Sequence, residues 1–177
     1  TLAIVLAAGE GTRMKSDLPK VLHKVAGASL VEHALASVAA AGIARAAVVV
    51  GPNHAKVADA ARRALPGIDV YEQTERRGTA HAVLQARDSI ARGHGAVVVL
   101  FGDTPLVRAE SIRRMADAVR GGAGVAVMGF RAKDPTGYGR LLTEGSDLVA
   151  IREHKDATEA ERAVTLCNGG AMALGGA

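Results

Sequence analysis

Gly9 and Gly11 stand two residues apart directly after the apolar run LAIVLA, and Thr12, Arg13 and Lys20 follow within the same stretch. Glycines at that spacing let backbone N–H groups line a concave floor, which is how a chain cradles an anion. Thr12 adds a hydroxyl, Arg13 a fork of donors for phosphate oxygens, and Lys20 a compact charge. The stiff Leu18-Pro19 step presents Lys20 from the far side of the loop. Two cations so placed suit a triphosphate whose terminal part must leave with extra negative charge. The stretch contains no G-x-x-x-x-G-K-[ST] string, and Met14 stands where a dinucleotide fingerprint would need its third glycine.

A second group of candidates lies further on. Gln73 offers a donor and an acceptor on one amide, as a uracil edge requires, although a strand-end glutamine on the surface has the same sequence context. Gly78 and Thr79 open a helical stretch. His81 is one turn inside it, which favours a packed or capping residue over a catalytic base. Asp103 follows the long apolar run AVVVLF, where a carboxylate is costly unless it is paired, capped or bound to metal. A lone carboxylate that meets phosphate oxygens is the usual setting for Mg²⁺. No H-x-H string offers a histidine nucleophile, which disfavours a nucleotidylated intermediate.

These groups need a frame. Short runs rich in β-branched residues alternate with stretches of helical period, the pattern of a mostly parallel sheet with helices on its faces. LAIVLA is the first strand. A helix follows with Ser29 at its N-cap and Gly42 at its end, and AAVVV at 46–50 is the second strand. Asn53 opens a helix closed before Pro66, IDVYEQ is the third strand, and a helix begins at Gly78-Thr79. AVVVLFGD at 96–103 is the strongest strand, a helix runs from about Val107 to Arg120, and GVAVMGF is a further strand. Beyond Ala132 the pattern turns to short pieces typical of hairpins. The glycine loop, Gln73 and Asp103 all fall at strand carboxyl ends, where open α/β sheets bind ligands.

Composition narrows the function. At 177 residues and 49% hydrophobic, the chain fits one packed domain, and with 2% aromatics and no Trp it lacks the stacking platforms of single-strand binders. The net charge of +4 is scattered over pairs such as Arg62-Arg63 and Arg113-Arg114, which argues for a small polyanionic substrate and against nucleic acid. One cysteine, Cys167, excludes a disulfide framework and suits a buried thiol in a reducing, cytoplasmic setting. No apolar run reaches the ~18 residues of a membrane span, and no signal peptide is evident.

The string LAAGEGTRMKSDLPK resembles the signature of the sugar-phosphate nucleotidyltransferases, or pyrophosphorylases. EQTERRGTAHAV, FGDTPL, DPTGYGRL, IREHKDAT and CNGG follow in the order and spacing of one branch. That branch is the uridyltransferase domain of the bifunctional bacterial N-acetylglucosamine-1-phosphate uridyltransferases. The resemblance implies a Rossmann-like, GT-A-like three-layer α/β sandwich with a mostly parallel central sheet and a smaller mixed β part that binds sugar. It implies transfer of uridylyl from UTP to N-acetylglucosamine 1-phosphate with Mg²⁺, by direct in-line attack. The product, UDP-N-acetylglucosamine, serves peptidoglycan and lipopolysaccharide synthesis. Carried over by position, Arg13 and Lys20 are catalytic, and Asp103 holds the metal. Leu6, Ala7, Ala8, Gly9, Lys20, Gln73, Gly78, Thr79, Phe101, Gly102 and Asp103 contact the nucleotide. Gly139, Glu153 and Asn168 contact the sugar phosphate. Phe101 departs from the aromatic hydroxyl often found there, and Gly169 replaces a Thr or Ser of some members.

Two alternatives stay open at this point: another nucleotidyltransferase, including the molybdenum-cofactor guanylyltransferases, and a nucleotide-sugar-binding module without turnover. In the branch it resembles, the chain continues past AMALGGA into a helical linker and a β-helix acetyltransferase through which the protein trimerises. A second magnesium ligand, an Asn, lies in that continuation. The expectation is therefore a truncated chain, 1–177, which also begins without Met.

Overall fold

Leu2–Ala7 form strand β1, and all six of its residues are buried. A run apolar on both faces is stable only with cover on both sides and partners on both edges. The computed structural model supplies both, and describes residues 1–9, 14, 16–52, 54–75 and 77–176. The chain folds as two units, Thr1–Ala126 with Met172–Ala177, and Val127–Ala171.

In the first unit β1 pairs in parallel with β4 (Arg45–Val50) on one edge and with β6 (Ala96–Phe101) on the other. Strand β5 (Asp69–Glu72) extends the parallel sheet beyond β4, and residues Met172–Gly175 of β10 (Leu166–Gly175) close it antiparallel to β6. Leu2, Ile4 and Leu6 share a face with Ala47, Val49, Val97 and Val99 and pack on Ala82 and Ala86. Those two alanines come from α3 (Thr79–Gln85) and the turn after it, which leads to α4 (Arg87–Ile90). Alternation sends Ala3, Val5 and Ala7 to the other face. Helices α1 (Leu30–Ala40), α2 (Ala55–Ala64) and α5 (Ala109–Arg120) pack among themselves there, with Val31, Leu35, Val38, Val57 and Ile112 fully buried. Each such side chain contributes about 1.5–3 kcal/mol.

The expected α/β order is borne out, with shifted boundaries. Helix α2 has His54 at its N-cap, and Asn53 lies outside the described residues. Helix α5 starts at Ala109 rather than near Val107, after the turn that contains Pro105. The single helix expected from Gly78 breaks at Ala86, whose N–H bonds back three residues to Val83 O at 3.0 Å, a tightened 3₁₀-type turn. The pattern also gave no sign of β2 (Lys24–Val25) and β3 (Ala28–Ser29), a hairpin turned by Ala26 (φ 51°) and Gly27 (φ 87°). Positive φ at both central residues matches the right-handed twist of the two strands.

The second unit is built on the antiparallel hairpin of β8 (Arg140–Glu144) and β9 (Asp147–Arg152), and β8 meets β10 at Arg140↔Cys167. Strand β7 (Val125–Arg131) also pairs with β10, and a short helix, α6 (Glu159–Arg162), is capped by Thr158 and Glu161. Cys167 is fully buried, as expected. No helix among the described residues is long and apolar enough to cross a membrane.

The start of α1 shows how one carboxylate fixes a helix entry. Glu32 accepts from the Ser29 N–H at 2.7 Å and from the Ser29 hydroxyl at 2.5 Å. The hydroxyl, then the N–H, hold its carboxyl below the usual glutamate range. A lowered folded-state value stabilises the fold above the unfolded-state value, and that gain is lost as pH falls through the folded one. Ser29→Ala is therefore expected to cost about 1 kcal/mol in urea unfolding at neutral pH. The difference from the unchanged protein should narrow in acid, and an equal loss at both pH values would contradict the assignment.

Candidate active site

The strand order β5-β4-β1-β6 reverses direction at β1, and ligands of open α/β sheets bind beside such a reversal, beyond the carboxyl ends of the strands. The register places those ends level: Leu6 faces Phe101, Ala7 faces Val50, and Val50 faces Glu72. Ala8 and Gly9, Gly51, Gln73, and Gly102 with Asp103 therefore emerge along one rim. Leu6, Ala7 and Ala8 are buried and Gly9 is exposed, so backbone rather than side chain is what this part of the loop can offer a ligand. Arg13, with Gly11 and Thr12, lies outside the described residues.

Gly102 continues the sheet by donating its N–H to Leu6 O at 2.8 Å. A Cβ on it would stand 3.3 Å from that carbonyl and 3.4 Å from Val21 Cγ1. The close approach seats buried Val21 and with it the 3₁₀ turn Lys20–Leu22, which Pro19 begins in an extended conformation. Lys20 consequently reaches across to Asp103, with Nζ 2.7 Å from Oδ2, at side-chain exposures of 39% and 31%. The two residues were expected to act separately, Lys20 on the leaving pyrophosphate and Asp103 on a metal, and their direct pairing across 83 positions is what the sequence did not show. Partial exposure makes the pair weak and exchangeable. Thr104 closes the turn after Asp103 by donating to Phe101 O at 2.8 Å, and Phe101 is half-buried.

Among the described residues no cluster of three His, Cys, Asp or Glu side chains could hold a metal. Asp103 alone fits Mg²⁺, which takes one or two carboxylates and leaves its other positions to water and phosphate. Its present partner, a half-exposed lysine, is a cation that another cation can replace.

Gln73 is 5% exposed, its N–H bonds to Val50 O at 2.8 Å, and its amide lies 3.2 Å from His81 Nδ1. The solvated strand-end reading of Gln73 is thereby excluded. Gly78 occupies the N-cap of α3 at φ 95°, a conformation that favours glycine, and Thr79 follows exposed. His81 is a packed residue, as expected, but it does not cap the helix.

In the second unit Gly139, Glu153 and Asn168 come together. Gly139 O accepts from the Asn168 N–H at 2.8 Å, and a Cβ on Gly139 would stand 3.2 Å from Glu153 Oε1. Asn168 Oδ1 accepts from Gly170 N–H at 2.9 Å, its amide NH₂ has no hydrogen-bond partner among the described residues, and Glu153 is exposed. The residue that orders them was not singled out from sequence: Arg140, 1% exposed, donates to Tyr138 O and to Arg162 O at 3.2 Å, and lies 3.3 Å from His154 Nδ1. An arginine directly after a candidate glycine was the only available signal. The preceding loop is held by Asp134, whose carboxyl accepts from Thr136 and is kept below the usual aspartate range by that residue.

Residues 3–165 match the family of MobA-like NTP transferase domains. The chain belongs to that family. It is thus a domain of the nucleotidyltransferase type, as the glycine loop suggested. Among curated relatives, it is 59% identical over 176 residues to the bifunctional protein GlmU of Bradyrhizobium sp. (strain ORS 278), and 57% identical over the same length to that of Xanthobacter autotrophicus. Both matches cover 99% of this chain and 39% of the relative, so the chain spans about two fifths of those proteins. A glucose-1-phosphate thymidylyltransferase assignment from Bacillus anthracis superposes with a TM-score of 0.80 at 18% identity, covering 99% of this chain and 72% of that one. A UDP-glucose pyrophosphorylase crystallised with UDP-glucose gives 0.78 at 18% identity, covering 98% and 75%. These two likenesses bear on the fold, and they agree with the mostly parallel sheet.

Gly169 explains a departure within this NTP transferase domain. A Cβ there would lie 2.8 Å from Met128 O, a backbone atom, so β7 leaves no room for the Thr or Ser of related sequences. Gly169→Ser is expected to destabilise the chain by about 1–3 kcal/mol through overpacking. Thermal unfolding checks this, and an unchanged midpoint would show that β7 can move aside.

Proposed function

We propose that this domain joins a nucleoside triphosphate to a sugar 1-phosphate, with UTP and N-acetylglucosamine 1-phosphate as the pair. The observation that carries the reading is the Lys20–Asp103 pair at the sheet reversal, beside the exposed backbone of Gly9. The relatives named GlmU and the nucleotidyltransferase family support it.

A phosphate oxygen of the sugar 1-phosphate forms a bond to the α-phosphorus of UTP, the bond from that phosphorus to the bridging oxygen breaks, and pyrophosphate departs with the electron pair. The nucleophile is already an anion, so alignment and charge stabilisation suffice. Backbone groups of Leu6 to Gly9, with Phe101 and Gly102, line the nucleotide. Gln73 reads the base, and Gly78 and Thr79 border base and ribose. Lys20, released from Asp103, and Arg13 stabilise the leaving pyrophosphate. Asp103 would hold Mg²⁺, which when bound supplies charge neutralisation at the phosphates. Gly139, Glu153 and Asn168 take the sugar phosphate, with Glu153 and the Asn168 amide paired to its hydroxyls and acetamido group. The proposed setting is cytoplasmic.

Release of pyrophosphate from UTP and N-acetylglucosamine 1-phosphate, with and without Mg²⁺, tests the reading. Lys20→Ala or Arg13→Ala should lower turnover at least about tenfold, about 1.4 kcal/mol of barrier, with the fold intact. Unchanged turnover in both variants would remove the loop from the leaving group. Faster turnover of GTP than of UTP would move the domain to a guanylyl branch.

A further inference from the structure

An amide cannot by itself choose between the two pyrimidines. Uracil presents an N3–H donor beside the O4 acceptor, and cytosine presents an N3 acceptor beside an N4 donor. A glutamine satisfies the first with Oε1 and Nε2, and the second after a half-turn of the same amide. If Gln73 reads the base, as the proposed function has it, selectivity must lie in whatever stops that half-turn.

The contacts of His81 supply the stop. Gln85 Nε2 lies 3.0 Å from His81 O and 3.3 Å from His81 Nε2. The amide therefore donates to both, and Nε2 is the acceptor of a neutral ring. Nδ1 then carries the hydrogen, and it stands 3.2 Å from the Gln73 amide. Only Oε1 of Gln73 can receive it. Oxygen and nitrogen of an amide exchange places on a half-turn, so the network rather than the atom labels decides the orientation. As placed, Nε2 is the amide atom 3.2 Å from Nδ1, and it approaches Gly78 O at 3.5 Å. That orientation would set the Gln85 amide donor against a second donor, so the half-turned amide with Oε1 against Nδ1 satisfies the network better. Burial of Gln73 leaves water little access to replace a lost partner.

We propose that His81, oriented by Gln85, is the positioning residue that sets pyrimidine selectivity by locking the Gln73 amide in its uracil-reading orientation. Oε1 keeps a second lone pair for uracil N3–H, and Nε2 donates to O4. Cytosine would meet donor against donor and acceptor against acceptor. The role explains why a histidine that touches no reacting group is bonded through both ring nitrogens.

The test is calorimetric titration of the full chain with UTP and with CTP, in magnesium buffer, for the unchanged protein, His81→Phe and Gln85→Leu. The unchanged protein should prefer UTP. In His81→Phe the ratio of CTP to UTP affinity should rise at least about tenfold, and Gln85→Leu should move it in the same direction by less, since the ring remains. A loss of folded fraction lowers both affinities together and leaves the ratio unmoved, so the ratio isolates the lock. If His81→Phe does not fold, Gln85→Leu decides. An unchanged ratio in the folded variants overturns the lock and leaves the uridine reading standing. Equal affinity of the unchanged protein for UTP and CTP overturns the uridine reading and the lock with it.

Discussion

Strand β1 has neither a free edge nor a free face, and the geometry of the candidate site depends on that confinement. Its backbone is bonded on both sides to parallel strands, and its side chains are buried against helices above and below. A slip of one residue would exchange every side chain between the two faces, so the register is tightly specified. With the register fixed, the ends of β4, β5 and β6 are fixed level with the end of β1. Gly9, Gln73 and Asp103 then have no choice but to share a rim.

Asp103 and Lys20 show what such a rim can do with charge. An isolated carboxylate beyond a buried strand would be costly, and a permanent, buried ion pair would be difficult to open. The pair is instead about one third exposed on each side, close enough at 2.7 Å to neutralise and wet enough to exchange. Its position is set by packing that has nothing to do with charge: Gly102 leaves room for Val21, and Val21 carries the lysine turn. A similar division holds in the second unit, where buried Arg140 ties main-chain carbonyls together while Glu153 stays exposed.

Most of the sheet was legible because its strands are short apolar runs with abrupt ends. AVVVLFGD placed Asp103 at a strand terminus with no help from tertiary structure, and the helix period of Val31, Ala34, Leu35 and Val38 placed α1. Three features were not legible, each for a physical reason. The Ala26-Gly27 hairpin needs a non-glycine residue at positive φ, which sequence pattern disfavours. The break at Ala86 depends on the hydrogen-bond spacing of one turn, which alanine-rich sequence does not announce. The partners of Lys20 and His81 are set by distance in space. For Lys20 that partner is 83 residues away, beyond the reach of any local pattern. The candidate residues were thus found by type and motif, and their mutual contacts by structure.

Backbone amide NMR during a UTP titration shows where nucleotide binds. With binding at the carboxyl ends of β1, β4, β5 and β6, the largest shifts gather at Ala8, Gly9, Lys20, Gln73, Thr79, Gly102 and Asp103. Shifts gathered at the opposite ends of the same strands, around Leu2, Arg45 and Ala96, would contradict binding there.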